Sequence, residues 1–406
     1  MKISSIFIGN ELLNGQTTNV NILHLGNELT LSGYHLNDSH IIPDTMEQIV
    51  ESVHSCLEEN DVIIICGGLG PTVDDITRKA VAEALGMKTG FSEEVCQFLR
   101  DYMAAKERQP KEEYFQRQSE IIVGANIIMN RVGLAPGLHI AKGNKDIFLL
   151  PGPPREFNPM FSLDILPKLQ KKHPAGRMTD LFHIYGISES KVEERFQTIL
   201  NKYSFISPAY CANLGHVKLT ITYSKKMADF QAQVHEDILK EYGHDITRNP
   251  ELIDDIAAIL MDKKWTLASA ESCTGGWIGQ AVTAFAGASS FFQGSINTYA
   301  NEWKMHQLGV KENTLITFGA VSEECATEMI NGLCDRYKVD CGIAVTGIAG
   351  PGGGSDEKPV GLVYIATRTP ESTKVTKRLF GGNRKEVREQ TVRYALNQLR
   401  LQLLEN

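Results

Sequence analysis

"DVIIICGGLGPTVDDIT", residues 61–77, decides how this chain folds. The run from Val62 to Cys66 is apolar at every position, which suits a strand buried on both faces, as in a parallel sheet. Gly67, Gly68 and Gly70 then permit positive φ and close backbone approach, and Pro71 and Thr72 stiffen the turn. Asp74 and Asp75 stand where the next helical pattern, "DITRKAVAEALG", opens. A buried strand, a glycine loop and a helix in that order make a βα unit whose loop offers backbone amides to an anion.

The same alternation extends outward. "ISSIFIG", the helix-like "TNVNILHLGNELTLSG" and "DIFLLPG" imply a mostly parallel, doubly covered sheet with ligands at the carboxyl ends of its strands. Glu11 in "GNELLNG", Asp44 in "IIPDT" and Glu156 in "PGPPREF" also fall at ends of apolar runs, so five carboxylates are candidates for one edge. Adjacent acids beside a phosphate-binding loop make sense when a divalent cation lies between them. The alternative for Asp74 and Asp75 is helix capping. A charged stretch, "SEEVCQFLRDYMAAKERQPKEEYFQRQSEI", interrupts the block and reads as a mobile arm or a solvated helix pair.

Composition is that of a soluble, core-forming chain. It has 406 residues, 42% apolar and 22% charged, enough for two or three domains. With 49 acids against 41 bases the formal charge is −8, which argues against nucleic-acid or anionic-membrane binding. Eight cysteines without a C-x-x-C pair indicate neither a zinc site nor a disulfide framework. No apolar run reaches the ~18–20 residues of a membrane span, and the first residues do not read as a signal peptide, so a cytoplasmic location is expected.

Three blocks follow from the pattern: 1–168, 169–248 and 249–406. The middle block reads as a smaller α+β unit. In the third, "SAESCTGGWIG" (269–279) packs an acid, Ser272, Cys273, Thr274, Gly275 and Gly276 between an apolar run and a helix-like segment. Three readings stand: a tight βα turn, a pair of glycines admitting a phosphate, or a nucleophile at a strand-to-helix turn. Ser289, Tyr299, Asn301 and Lys304 come soon after, and Thr346 lies in a second glycine-rich loop. A serine can be activated by a lysine whose pKa burial has lowered, so Ser272 with Lys304 is a candidate hydrolytic pair. Cys273 has no visible base and reads as packing. Whether Ser272, Ser289 or a water attacks stays open.

"GNELLNG", "GGLGPTVDD" and "LPGPPREF" resemble the domain shared by molybdopterin-binding proteins and the competence/damage-inducible CinA family, with wording closer to the latter. The order "AESCTGG", "TYAN-x-x-K", "GAVSEE" and "TGIAGPGGGS-x-EKPVG" is similar, along nearly all of the third block, to the family's nicotinamide mononucleotide deamidase domain. The middle block resembles the family's KH-like module, but offers "GISES" where a nucleic-acid-binding KH domain has G-x-x-G. Ala288 replaces the first serine of a usual Ser-Ser pair, with Ser289 kept.

The resemblance implies an α/β chain: a three-layer molybdopterin-binding-like domain, a KH-like α+β connector and an α/β deamidase domain. It implies a metal-dependent ADP-ribose pyrophosphatase in the first block, using Mg, Mn or Co held by Asp44, Asp74, Asp75 and Glu156. Asp75 would be catalytic there, with Glu11, Gly68, Gly70 and Thr72 toward substrate. For the third block it implies hydrolysis of nicotinamide mononucleotide to nicotinate mononucleotide and ammonia without a cofactor. Ser272, Lys304, Ser289 and Tyr299 would be catalytic, and Gly275, Gly276, Asn301, Thr346, Gly347 and Arg384 would meet the substrate. A homodimer is also implied. The rival readings are a bare molybdopterin-binding protein, or a non-catalytic interaction protein of the competence or DNA-damage response.

Overall fold

The structure, a computed structural model, describes residues 1–108 and 111–405. The chain is α/β and falls into two compact units, residues 1–179 with 222–225, and residues 180–221 with 226–406.

In the first unit the strands are β1 (Ile3–Ile8), β2 (Leu36–Ile42), β3 (Val62–Cys66), β4 (Thr89–Phe91), β5 (Glu120–Ile122), β6 (Asn126–Ile128), β7 (Gly137–Lys142) and β8 (Lys145–Leu150). The main sheet runs β2-β1-β3-β8-β7-β6, while β4 and β5 pair separately. β1 pairs in parallel with β2 and β3, and β3 in parallel with β8. β7 closes antiparallel on β8, and β6 on β7.

The apolar run of the opening stretch is the central strand. Its period of two sends Ile63 and Ile65 into one core with Ile49, Val53, Ala80 and Val81, and Val62, Ile64 and Cys66 into another with Leu25, Leu29, Phe157 and Phe161. Helices therefore cover both faces. β1 leads to β2 on one side, and the chain then crosses to β3 on the other. The loops after β1 and β3 thus part at the switch between them, where a crevice forms at the carboxyl ends. The charged stretch forms two helices, Glu93–Ala105 and Glu112–Gln118. They hold their own apolar cluster of Val95, Cys96, Leu99, Met103 and Phe115, so the pair is more than a solvated arm. Gln109 and Pro110 of that stretch lie outside the described residues.

The remaining strands are β9 (Arg177–Tyr185), β10 (Ser207–Asn213), β11 (His216–Ser224), β12 (Ile246–Thr247), β13 (Leu267–Glu271), β14 (Phe292–Asn297), β15 (Cys341–Gly347), β16 (Leu362–Arg368) and β17 (Thr373–Leu379). The order β10-β11-β9-β12, with helices Glu189–Lys202 and Gln231–Tyr242, makes a small α+β module. The last sheet runs β14-β13-β15-β16-β17, parallel across β14, β13 and β15 and antiparallel beyond. It repeats the topological switch. Cys341, Ile343 and Val345 face helices Leu252–Lys263 and Arg384–Leu404, while Ala268, Ala270 and Ala344 face helix Glu323–Tyr337.

The terminal helix joins module to sheet. Arg393 donates to the carbonyls of Asn213 and Leu214, and Arg400 to those of His244 (2.6 Å) and Ile246 (3.1 Å) while also pairing with Asp255. Cys211 is exposed and the other seven cysteines are buried and free. Among the described residues no helix is long and apolar enough to cross a membrane.

Candidate active sites

In the second unit the chain leaves β13 at Glu271 and turns at once through Ser272, whose N–H donates to Val345 O on the neighbouring strand (3.1 Å). Thr298 N–H donates to Glu271 O from the β14 side (2.8 Å). Ser272 is thereby pinned at the switch of the sheet. Helix Asn301–Leu308 brings in Lys304, whose Nζ donates to Ser272 Oγ at 3.1 Å, Thr298 O at 2.7 Å and Tyr299 O at 3.3 Å. Lys304 is only 1% exposed. Burial lowers its pKa, the nearby Cys325 and Cys273 thiols counting weakly the other way, and no acid among the described residues pairs with it. An amine so placed carries its lone pair nearer neutrality than a surface lysine does.

Ser272 and Lys304 open into a cavity of about 230 Å³ lined also by Tyr299, Asn301, Thr346, Gly347 and Arg384. Tyr299, Asn301 and Arg384 are exposed and form its mouth, where Arg384 Nη2 donates to Tyr299 Oη (3.2 Å) and Nη1 to Gly350 O (2.7 Å). Thr346 is buried, donating to Ala320 O (2.7 Å). Seven of the residues marked out by the sequence thus meet in one place. Cys273 is buried beside them, its thiol pushed up to about 12 by burial, which leaves it protonated.

Three candidates fall elsewhere. Ser289 is exposed and lines a separate, shallow hollow with Gly276, Gly279 and Asn297. Gly275 and Gly276 do not line the Ser272 cavity. The expectation that their amides receive a phosphate is corrected: Gly275 N–H donates to Ser272 O (3.2 Å) within the turn, and Gly276 N–H to Glu271. This fully buried carboxylate accepts from the N–H groups of Gly276 (3.0 Å), Ile278 (3.1 Å) and Gly279 (2.9 Å) and from Ser295 Oγ (2.9 Å). The protein's own anion already fills the amino end of helix Trp277–Thr283. Gly276, at φ 94°, is needed for the turn itself. Sequence reading missed Glu271, although an acid five residues before a glycine-led helix was the available signal. It also missed Arg388, which donates to Thr274 O (2.7 Å) and stacks 3.7 Å over the Trp277 ring.

In the first unit, the crevice between the loops after β1 and β3 is a cavity of about 630 Å³. Glu11, Asp44, Asp74, Asp75 and Glu156 all line it, together with Gly68 and Gly70. Gly67, at φ 108°, leaves room where a Cβ would sit 2.3 Å from Ile8 O, which lets the two loops approach. Arg78 is buried beneath the glycine loop and donates to Leu69 O (2.7 Å). Desolvation lowers its guanidinium to about 10, with Asp75 and Glu120 opposing the shift. Burial first, then repulsion from Glu11, Asp74 and Asp75, raises the Asp44 carboxyl, even though Asn10 N–H donates to it. The negative charges therefore sit close enough to repel one another.

Asp74 and Asp75 do not open the helix, because helix Thr77–Leu85 begins two residues later with no side-chain cap from them. Asp75 instead turns back to accept from Thr72 N–H (2.8 Å) and Thr72 Oγ1, closing the loop on itself. Glu156 is buried and accepts from Asn130 Nδ2 (2.7 Å), with Arg155 at 3.7 Å. These acids do not form a compact trio of ligand atoms; among the described residues that arrangement occurs at Asp38, His40 and Cys56. Sequence reading passed over the basic residues that line the cavity, Lys106, Arg108 and Arg155, the first two because their stretch reads as a mobile arm or a solvated helix pair.

Residues 249–403 match the family described as CinA C-terminal domain, and residues 4–171 the family described as Probable molybdopterin binding domain. The chain is similar to a competence-damage inducible protein of Clostridium perfringens strain SM101, 36% identical over 414 residues that cover 99% of each chain. It is also similar to a CinA-like protein of Endomicrobium trichonymphae, 36% identical over 435 residues covering 100% of this chain and 99% of the other. A crystal structure of competence damage-inducible protein A from Klebsiella pneumoniae is 37% identical over 38% of this chain and 95% of that one, with a TM-score of 0.37.

Proposed function

Because the chain belongs to the CinA family and carries its molybdopterin-binding-like and C-terminal domains, we propose that it is a two-site hydrolase of pyridine-nucleotide recycling. Its second unit would convert nicotinamide mononucleotide to nicotinate mononucleotide and ammonia. The observation that carries this reading is Lys304 Nζ, buried, unpaired by any described acid and 3.1 Å from Ser272 Oγ. Neutral Lys304 takes the Ser272 proton as Oγ adds to the carboxamide carbon, and the resulting ammonium returns a proton to the departing ammonia. Water then cleaves the acyl-serine by the same relay in reverse. Arg384 and Asn301 at the mouth suit the nucleotide phosphate, and Thr346 and Tyr299 the ring and ribose. This replaces the glycine amides as the anion site.

The first unit carries a second reading, cleavage of ADP-ribose to AMP and ribose 5-phosphate. What favours it is a cavity lined by both acids and the cations Lys106, Arg108 and Arg155. Burial first, and then the neighbouring charges of Glu11, Asp74 and Asp75, raise the Asp44 carboxyl; hard carboxylate oxygens of this kind suit a divalent ion, which Asp44, Asp74 and Asp75 would hold after their side chains draw together. When bound, such an ion neutralises phosphate charge and acidifies water. The chain's own part is to grip the pyrophosphate with the three cations and admit it past Gly68 and Gly70, while Asn130 fixes Glu156. Incubating purified protein with each nucleotide, with and without chelator, tests both. Ammonia release should survive chelation and ADP-ribose cleavage should stop. A protein that turns over neither substrate removes the proposal.

A further inference from the structure

Away from both cavities, the edge strand β2 places Asp38 and His40 two residues apart, hence on one face of the sheet. Helix Met46–Glu59 covers that face and directs Cys56 toward them. One ligand atom from each of the three lies within 4.8 Å of the others. His40 Nε2 is 3.0 Å from Asp38 Oδ1. Ser4, fully buried on β1 beside Asp38 in the register, donates to Asp38 Oδ1 and sits 3.3 Å from Cys56 Sγ. Cys56 is 2% exposed, whereas the side chains of Asp38 and His40 reach solvent at 35% and 44%.

We infer that Asp38, His40 and Cys56 form a binding site for a zinc-class divalent ion. The donor set is a carboxylate oxygen, an imidazole nitrogen and a thiolate sulfur, which together suit a borderline-soft tetrahedral ion. Bonds of about 2.0–2.3 Å place tetrahedral ligand atoms roughly 3.3–3.6 Å apart, so the observed cluster needs only small side-chain rotations to close. Solvent exposure on the Asp38 and His40 side gives the ion a path in and leaves a fourth position for water. Binding exchanges the Cys56 S–H bond for an S–metal bond and releases that proton to solvent. His40 binds through Nε2 with its proton on Nδ1. Ser4 orients Asp38 as an outer partner of the kind that tunes metal sites. The bound ion would tie the exposed edge strand to the helix above it. This ligand chemistry differs from the carboxylate donors proposed for the first unit's cavity, and that difference makes the site separately visible.

The test uses untagged full-length protein, stripped with chelator and titrated with cobalt(II) as the spectroscopic probe. A thiolate-to-cobalt charge-transfer band should grow and saturate at one equivalent per chain. It should vanish in Cys56→Ser and in His40→Ala, the latter an exposed position where far-ultraviolet circular dichroism should remain that of the wild type. Ser4→Ala should weaken the apparent affinity about 10–100-fold. Cys211→Ser, which removes the exposed thiol, should leave the band intact. No band in the wild type, a band that persists in Cys56→Ser or a folded His40→Ala, or one that disappears with Cys211, overturns the inference.

Discussion

Replacing Lys304 by methionine removes the amine while keeping an unbranched, apolar side chain in a space that is 1% exposed. Nζ makes three hydrogen bonds, to Ser272 Oγ, Thr298 O and Tyr299 O. At ~1 kcal/mol each, their loss costs about 3 kcal/mol of stability. Against this, methionine relieves the desolvation that lowers the lysine pKa. The two terms oppose each other, so the melting midpoint should move by only a few degrees. Catalysis has no such offset. General acid–base help is worth about 10²–10⁴-fold, or about 2.7–5.4 kcal/mol of barrier, and ammonia release should fall by at least the lower figure. Lys304→Arg should fail equally, since a guanidinium does not deprotonate at working pH.

The pH profile adds a second readout. A neutral amine is required, so kcat for the wild type should rise with pH through a limb below the ordinary lysine value of ~10.4. Between the lowered folded value and ~10.4 the unfolded chain holds the extra proton, so stability should also rise with pH there. Below the folded value the penalty is complete. Both slopes should be absent from Lys304→Met. A folded Lys304→Met or Lys304→Arg variant that retains more than a tenth of wild-type turnover refutes the assignment of Lys304 as base.

Glu271→Gln should lower the melting midpoint without emptying the cavity, because it discharges a buried anion that three helix amides and Ser295 surround. Charged hydrogen bonds of this kind are worth about 1.5–3 kcal/mol each, so an unchanged midpoint would contradict the reading of Glu271 as the turn's own anion. His183 Nδ1 and His216 Nε2 lie 2.9 Å apart and buried, both held down to about 4 chiefly by desolvation. The unfolded chain takes up these protons near ~6.5, so the stability they confer is present above that pH and drains as pH falls toward 4. Calorimetry of wild type and His183→Gln across this window should show a shallower acid slope in the variant. Cys273, with its thiol at about 12, should resist iodoacetamide at neutral pH while Cys211 is labelled, and Cys273→Ala should keep most deamidase turnover. Loss of activity on stoichiometric alkylation of Cys273 would reverse that assignment.

The parallel sheets were legible because their signal is local. "VIIIC" is apolar throughout, "ISSIFI" interrupts its apolar run only with two small serines that the sheet buries, and a glycine loop follows the first of them. Ser272 and Lys304 were legible as a pair through chemistry, since a serine needs a base, and through the resemblance of the third block to the deamidase domain. Their meeting depends on helix Asn301–Leu308 bringing Lys304 to the turn after β13, which no spacing encodes. The glycine pair was misread because sequence does not show which anion a helix end receives, and here the nearest one, Glu271, lies in the same chain. Asp74 and Asp75 line the cavity with the other acids but do not open the helix, because Thr72 N–H and Oγ1 take Asp75 in place of the helix amides. The Asp38, His40 and Cys56 cluster left no trace in a search for paired cysteines. Strand periodicity joins two of its members, but the third arrives from a helix.

Helix Arg384–Leu404 begins at the lip of the Ser272 cavity and, about 24 Å along at 1.5 Å per residue, anchors the α+β module through Arg400. Hydrogen bonds at both ends of one stiff element bind the opening of each to the other. Under native conditions the amides of the terminal helix and of Ile246–Thr247 should therefore exchange with solvent as one cooperative unit, at a common rate set by a single opening event. The cavity lip inherits that slow clock in its backbone: the exposed Arg384 side chain turns over quickly, but the place from which it reaches into the hollow lasts as long as the helix behind it.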